Sequence, residues 1–210
     1  MAIEEGDSLS GRIGEIIYYK WKGRKCRRIR PAHVRNPKTP AQTRHRDKIK
    51  IGSKFIKSLH SFIEKGYQAT EFDTQKNEAM SYLIKNCFIE EDGKVRLDYA
   101  QVPISRGEMT PPEKSIISIT DNTVHISWEY NRNPWFCKGE DKLMVAIHVE
   151  DNERSYSQML NNVAYREAGS TSVPIPITDK PKHLWFFFQN SDNEIGESRK
   201  NVSDSVYFRL

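Results

Sequence analysis

Between Ile13 and Arg30 apolar and basic positions alternate in two short runs, "IGEIIYYKW" and "RKCRRIR", parted by Lys22-Gly23. Glycine supplies the positive φ that a tight turn demands, so this pattern predicts a β-hairpin over 13–21 and 24–30. The period of two sets Ile17, Tyr19 and Trp21 on one face of the first strand, and Arg24, Cys26, Arg28 and Arg30 on one face of the second. Pro31 closes the second strand because it has no N–H to give to a ladder. Asn36-Pro37 then keeps the chain extended. Thr39 reads as a helix N-cap, Pro40 as the first helical residue and Gln42 as the reciprocal member of a capping box. Ile49, Gly52, Phe55, Ile56, Leu59, Phe62 and Ile63 recur at spacings of three and four, which predicts one helix from Pro40 to about Lys65 that stops at Gly66. A shorter helix follows over 74–86, capped by Thr74 with Ala79, Tyr82 and Leu83 turned inward, and "KVRLDYAQVPIS" at 94–105 reads as one or two short strands.

After "TPPEKS" at 110–115 the period changes to that of strands. Short β runs recur at 116–120, 123–130, 143–150, 157–166, 172–177, 183–189 and 204–210, at the spacing of a β-sandwich. Trp128 in "VHISWEY" is a candidate core aromatic. "LMVAIHV" alternates Leu143, Val145, Ile147 and Val149 against Met144, Ala146 and His148. The fold class expected is α+β: an N-terminal β-hairpin and long helix over 1–110, then an immunoglobulin- or fibronectin-like antiparallel sandwich over 111–210, divided near Pro111-Pro112.

Composition adds that the chain folds, since 37% of its 210 residues are hydrophobic and it holds nine Phe, nine Tyr and four Trp. "MAIEEGDSLSGR" lacks the basic start and apolar run of an export signal, and the strongest apolar run, "LWFFF" at 184–188, is far too short to span a bilayer. Cys26, Cys87 and Cys137 are odd in number and far apart, which predicts reduced thiols rather than a disulfide framework or a zinc knuckle. These signs together predict synthesis in the cytosol.

Charge changes the picture more. Residues 1–50 hold 14 Lys/Arg against 5 Asp/Glu, a net +9, and the rest holds 19 against 23, a net −4. From Lys20 to Lys50 only Asp47 is acidic. Such a segment faces solvent or a negative partner. Arg24, Arg27, Arg28, Arg30, Arg35, Arg44 and Arg46, with Tyr19 and Trp21 as apolar anchors, are the candidate partner- or polyanion-binding residues. Arginine could grip carboxylates of a neighbouring subunit bidentately. The same residues could straddle phosphates while the aromatic rings stack on bases. A merely solvated cationic face is the third reading.

Motifs for catalysis or metals are missing: no GxxxxGK[ST], GxSxG, HExxH or EF-hand loop occurs, and the six histidines are scattered. The expectation is therefore a protein that is not an enzyme and that carries no cofactor or metal.

"SGRIGEIIYYKWKGRKCRRIRP" followed by "VRNPKTPAQTRHR" and a long helix resembles the start of a family of uncharacterised bacterial proteins. Their shared pattern is a glycine-flanked hairpin, Arg-Pro, then Asn-Pro-x-Thr-Pro-Ala-Gln, matched here at Asn36, Pro37, Thr39, Pro40, Ala41, Gln42 and Arg46. The segment also resembles parts of phage-encoded structural proteins, and the C-terminal part resembles a fibronectin type III sandwich. The resemblance implies a non-catalytic, multi-copy component, related to phage-like particles or surface assemblies, with other copies or other assembly subunits as partners. "KCRRIR" is more basic than that pattern, which keeps nucleic-acid binding as the alternative.

Overall fold

A computed structural model describes residues 2–5, 8–21, 23–33, 36–70, 73–91, 93–130, 137–151, 155–190 and 201–210. Two compact units form, residues 1–42 and 43–210. Segments on either side of Pro111-Pro112 thus belong to the same body.

The first unit holds an antiparallel sheet of four strands in sequence order: β1 (Ala2–Glu5), β2 (Ser8–Ile13), β3 (Ile16–Trp21) and β4 (Arg24–Ile29). The expected hairpin is its second half. Ile13, expected at the start of the hairpin's first strand, instead ends β2, and Gly14-Glu15 turn between β2 and β3, where Gly14 has φ +57°; Gly23 at +79° serves the next turn. Both are values that a side chain disfavours. The first two strands escaped the sequence reading because "AIEE" and "SLSGRI" lack clear alternation.

In the second unit the single expected helix is two. Helix α1 runs Pro40–Ser58 and α2 runs His60–Gly66, with Leu59 between them at φ −117°, ψ 25°. Gly66 is not the left-handed stop that its position suggested. It is buried where the backbone of Ile104 and Ser105 passes, and its carbonyl accepts from Arg106 N at 2.9 Å. Helix α3 (Gln75–Asn86) starts at Thr74, whose hydroxyl accepts from Asn77 N at 3.3 Å, and buries Ala79 and Leu83. A small hairpin of β5 (Phe88–Glu91) and β6 (Lys94–Leu97) leads to a 3₁₀ turn at Tyr99–Gln101.

The remainder is two antiparallel sheets. One has the order β11-β8-β7, the other β10-β9-β12-β13, from β7 (Glu113–Thr120), β8 (Thr123–Glu129), β9 (Lys142–Val149), β10 (Tyr156–Leu160), β11 (Ser170–Pro174), β12 (Lys182–Gln189) and β13 (Val206–Arg209). The β10 run ends earlier than 166, giving way to a 3₁₀ turn at Arg166–Ala168.

Strands β9 and β12 pair over eight residues, from Lys182↔Val149 to Gln189↔Lys142, and 143–149 and 183–189 are buried on both faces. Leu143, Val145, Ile147, Leu184, Phe186 and Phe188 meet Val124, Ile126, Trp128 and Val173 of the three-stranded sheet. Met144, Ala146, Trp185 and Phe187 meet the helices through Phe55, Leu59, Phe62 and Leu83. Both buried indoles are matched: Trp185 Nε1 donates to Val102 O at 2.8 Å and Trp128 Nε1 to Arg166 O at 2.7 Å. Arg166 itself is buried, donating to Asp141 Oδ2 at 3.0 Å and Thr110 O at 2.9 Å, with its guanidinium 3.8 Å over the Phe188 ring. Burial pushes the Asp141 carboxyl up and the Arg166 guanidinium down.

A methyl group at Gly66 would drive into the Ile104–Ser105 backbone, which cannot move without breaking the Arg106 bond. Gly66→Ala should cost at least about 2 kcal/mol by overpacking, read by urea unfolding. A loss below about 0.5 kcal/mol would contradict the close approach.

Candidate functional site

The cationic hairpin becomes a surface through its register. The ladder of β3 and β4 pairs Trp21 with Arg24, Tyr19 with Cys26 and Ile17 with Arg28, and β2 adds Arg12 beside Ile17. Paired residues of an antiparallel ladder share a face. The aromatic row and the arginine row thus form one surface, Tyr19 and Trp21 lying among Arg12, Arg24 and Arg28. The opposite face gathers Ile13, Ile16 and Ile29 at one end and carries Tyr18 with Arg27 and Lys20 with Lys25.

None of the described residues from Ser10 to Gln42 is buried. Ile29 is 74% exposed, Ile13 50% and Trp21 47%. A β-sheet normally covers at least one face. Here both faces carry large apolar groups, and within the unit neither face is sealed.

The other expected residues divide. Arg27 points away from Arg24 and Arg28, and Arg30 follows β4 with an exposed side chain and its N–H on Glu15 O at 2.7 Å. Arg35 lies outside the described residues. Arg44 belongs to the second unit, where it and Lys48 hold Glu90 at 3.6 Å and 3.3 Å; Arg46 is exposed on the same helix. Asn36 and Pro37 are exposed and non-helical, Pro40 begins α1, and Thr39 Oγ1 accepts from Gln42 N at 3.3 Å, the N-cap expected.

A second group of polar side chains comes together in the second unit, around two histidines that the sequence places in strand runs. His148 on β9 and His183 on β12 are register partners on the helix-covered face. His148 Nδ1 lies 2.8 Å from Ser157 Oγ, a spacing that fits a nucleophile and its base. The hydroxyl chain rules that role out, because Ser157 Oγ donates to Ser58 Oγ at 3.0 Å, and Ser58 Oγ donates to Phe55 O at 2.8 Å. Ser157 therefore accepts from a neutral His148 that carries its proton on Nδ1. His183 stacks on Tyr99 with ring centroids 3.9 Å apart, its Nδ1 2.9 Å from Tyr207 Oη and its Nε2 3.5 Å from a Glu150 carboxylate oxygen. Burial raises the Tyr99 hydroxyl above its ordinary range. Sequence offered one signal: two histidines near the ends of two strongly apolar strand runs, His148 in "LMVAIHV" and His183 in "HLWFFF".

Cys87 and Cys137 are buried and Cys26 half-buried, all as free thiols; burial pushes Cys87 up to about 11, so it stays protonated. Among the described residues no group of three His, Cys, Asp or Glu side chains could hold a metal ion, and no helix is long and apolar enough to cross a membrane.

In comparison with known proteins, residues 8–208 match the family described as "Family of unknown function (DUF6266)". No curated protein matches the chain.

Burial first, then the nearby His183 and Lys54, holds His148 down to about 4. The unfolded chain accepts that proton near pH 6.5, so it binds more protons than the folded chain between about 6.5 and 4. The contribution to stability is whole above about pH 6.5, falls as pH drops, and levels off near pH 4 after a loss of roughly 3 kcal/mol. His183, lowered chiefly by burial, acts in the same sense. Urea unfolding from pH 7 to 4 should show a shallower slope for His148→Gln than for the parent. Equal slopes would contradict a buried neutral His148.

Proposed function

The chain belongs to the DUF6266 family, and we propose that it is a structural protein that assembles in several copies through the N-terminal sheet. One observation carries this reading: a four-stranded sheet that buries none of its described residues from Ser10 onward while holding Ile13, Tyr19, Trp21 and Ile29 in solvent. Covering one such face removes apolar area from water at about 25 cal/mol per Å². Arg24 and Arg28, beside Tyr19 and Trp21, supply donors for carboxylates on the covering surface. A second copy offers those carboxylates, because residues 51–210 carry a net −4.

The second unit is then the part that docks or decorates. We read its two facing sheets as a fibronectin type III-like sandwich. The orders β7-β8-β11 and β10-β9-β12-β13 support this, since in chain order they are the first, second and fifth strands of seven against the third, fourth, sixth and seventh. Incorporation into a phage-like or surface particle is the setting in which such a subunit serves.

The alternative is nucleic-acid binding on the Tyr19, Trp21, Arg24 and Arg28 face, favoured by the direct pairing of Trp21 with Arg24, which sets a stacking ring beside a phosphate-binding cation.

Light scattering of the full chain at low and high salt, with absorbance at 260 and 280 nm on the same peak, separates the two. Assembly predicts a multiple of 24.5 kDa free of nucleic acid. Ile29→Glu, which alters a group already in solvent, should weaken association tenfold or more, since burying an isoleucine contributes about 2 kcal/mol. A strict monomer at high concentration overturns the assembly. A monomer that carries nucleic acid at low salt and sheds it at high salt transfers the function to the aromatic-arginine face.

A further inference from the structure

The second unit contains a cavity of about 610 Å³, open at one side, in the size range of roughly 300–1,000 Å³ typical of small-molecule sites. Its lining comes from α1, β6, the 3₁₀ turn after β6, the end of β9 and the segment that enters β12. Phe55, Tyr99 and His148 line it together. Their ring centroids are 5.4 Å (Phe55 to His148), 5.5 Å (Tyr99 to His148) and 5.9 Å (Phe55 to Tyr99) apart. Those separations are direct ring contacts that leave no gap for a guest between them. A ligand must therefore lie on this aromatic surface, not within it. Ile51 and Val95 extend the apolar lining.

Five charged side chains also line the cavity: Lys54, Arg96, Lys180, Glu150 and Asp151. Their sum is one positive charge. Lys180 is engaged with Asp151. The Glu150 carboxylate faces His183 Nε2 at 3.5 Å, and that buried nitrogen has no hydrogen bond of its own. Lys54 has no ion pair among the described residues, and Arg96 reaches only an exposed contact with Glu91 at 3.8 Å. Glu150 thus stays a lining carboxylate with no cationic partner among the described residues, and the cationic part of the lining is Lys54 with Arg96, set beside aromatic surface. Lys54 is also close enough to His148 to disfavour protonation of the ring, so the imidazole adds no competing charge at neutral pH.

We infer that this cavity binds a small amphipathic carboxylate, an aromatic acid in the simplest case, with the carboxylate between Lys54 and Arg96 and the apolar body on Phe55, Tyr99 and His148. Recognition needs no chemistry from the chain. It is a binding site in a body separate from the N-terminal sheet, and it stands or falls independently of assembly.

Benzoate tests it, followed by amide ¹H–¹⁵N shifts of the full chain, with benzyl alcohol and benzylamine as neutral and cationic matches. Benzoate should produce saturable shifts centred on residues 51–55, 95–99 and 148–150, and the two matches should bind at least severalfold more weakly. Lys54→Ala and Arg96→Ala, both changes of exposed residues, should each weaken benzoate roughly threefold to fivefold, the range of a partly screened charge contact. The absence of saturable shifts, equal response to all three probes, or unchanged benzoate affinity in both variants would overturn the inference.

Discussion

Everything in the second unit depends on one ladder, β9 against β12, buried on both faces. An antiparallel sheet commonly leaves one face to water, and covering both takes a separate layer on each. Here the three-stranded sheet takes Leu143, Val145, Ile147, Leu184, Phe186 and Phe188, while α1, α2 and α3 take Met144, Ala146, Trp185 and Phe187. The result is three layers around two cores that share a single backbone. Several buried polar groups are satisfied, as at Trp185, whose indole N–H reaches Val102 O, and at Arg166, held between Asp141, Thr110 and the Phe188 ring, while Asp141 Oδ1 and His183 Nε2 are buried without a hydrogen bond. The same double covering desolvates His148 and His183 and places the cavity where the helical layer stops short of the end of β9.

The first unit is built on the opposite principle. Its sheet has register and turns, but none of its described side chains from Ser10 to Gln42 reaches the interior. A lone antiparallel sheet contributes ladder hydrogen bonds that are worth little net of water. Its apolar residues repay their conformational entropy only when something covers them. The edge strand β4, with four Arg and Lys in six residues, resists indiscriminate strand addition while leaving the faces open to a matched partner. Assembly is the reading that gives those faces a purpose.

Much of this was legible in sequence because it is local. The strands over 116–210, the caps at Thr39 and Thr74 and the hairpin turn at 22–23 follow from period and turn chemistry. What failed was non-local or lacked a pattern. Apolar spacing runs unbroken through Leu59, Phe62 and Ile63, so nothing announced the break between α1 and α2. "LMVAIHV" sets apolar residues on both faces, but which layer covers each face is decided by the helices and the three-stranded sheet, packed from far along the chain. The acidic "AIEE" and "FIEE" carry too few apolar positions to declare strands. For the candidate surface, the period of two already parted Arg24 and Arg28 from Arg27, but only register shows that they share a face with Tyr19 and Trp21. It also took tertiary packing to assign Arg44 to Glu90. The cavity draws on residues 51 to 181, beyond the reach of any local pattern.

Hydrogen exchange of the full chain, followed at protein concentrations from well below to well above any association, measures the contrast between the two units most directly. The account predicts that β9 and β12 amides exchange only by global unfolding at every concentration, whereas β2, β3 and β4 amides exchange quickly when dilute and gain protection as concentration rises. Protection of β3 and β4 in the dilute chain equal to that of β9 and β12 would contradict it, because the N-terminal sheet would then be stable without a partner.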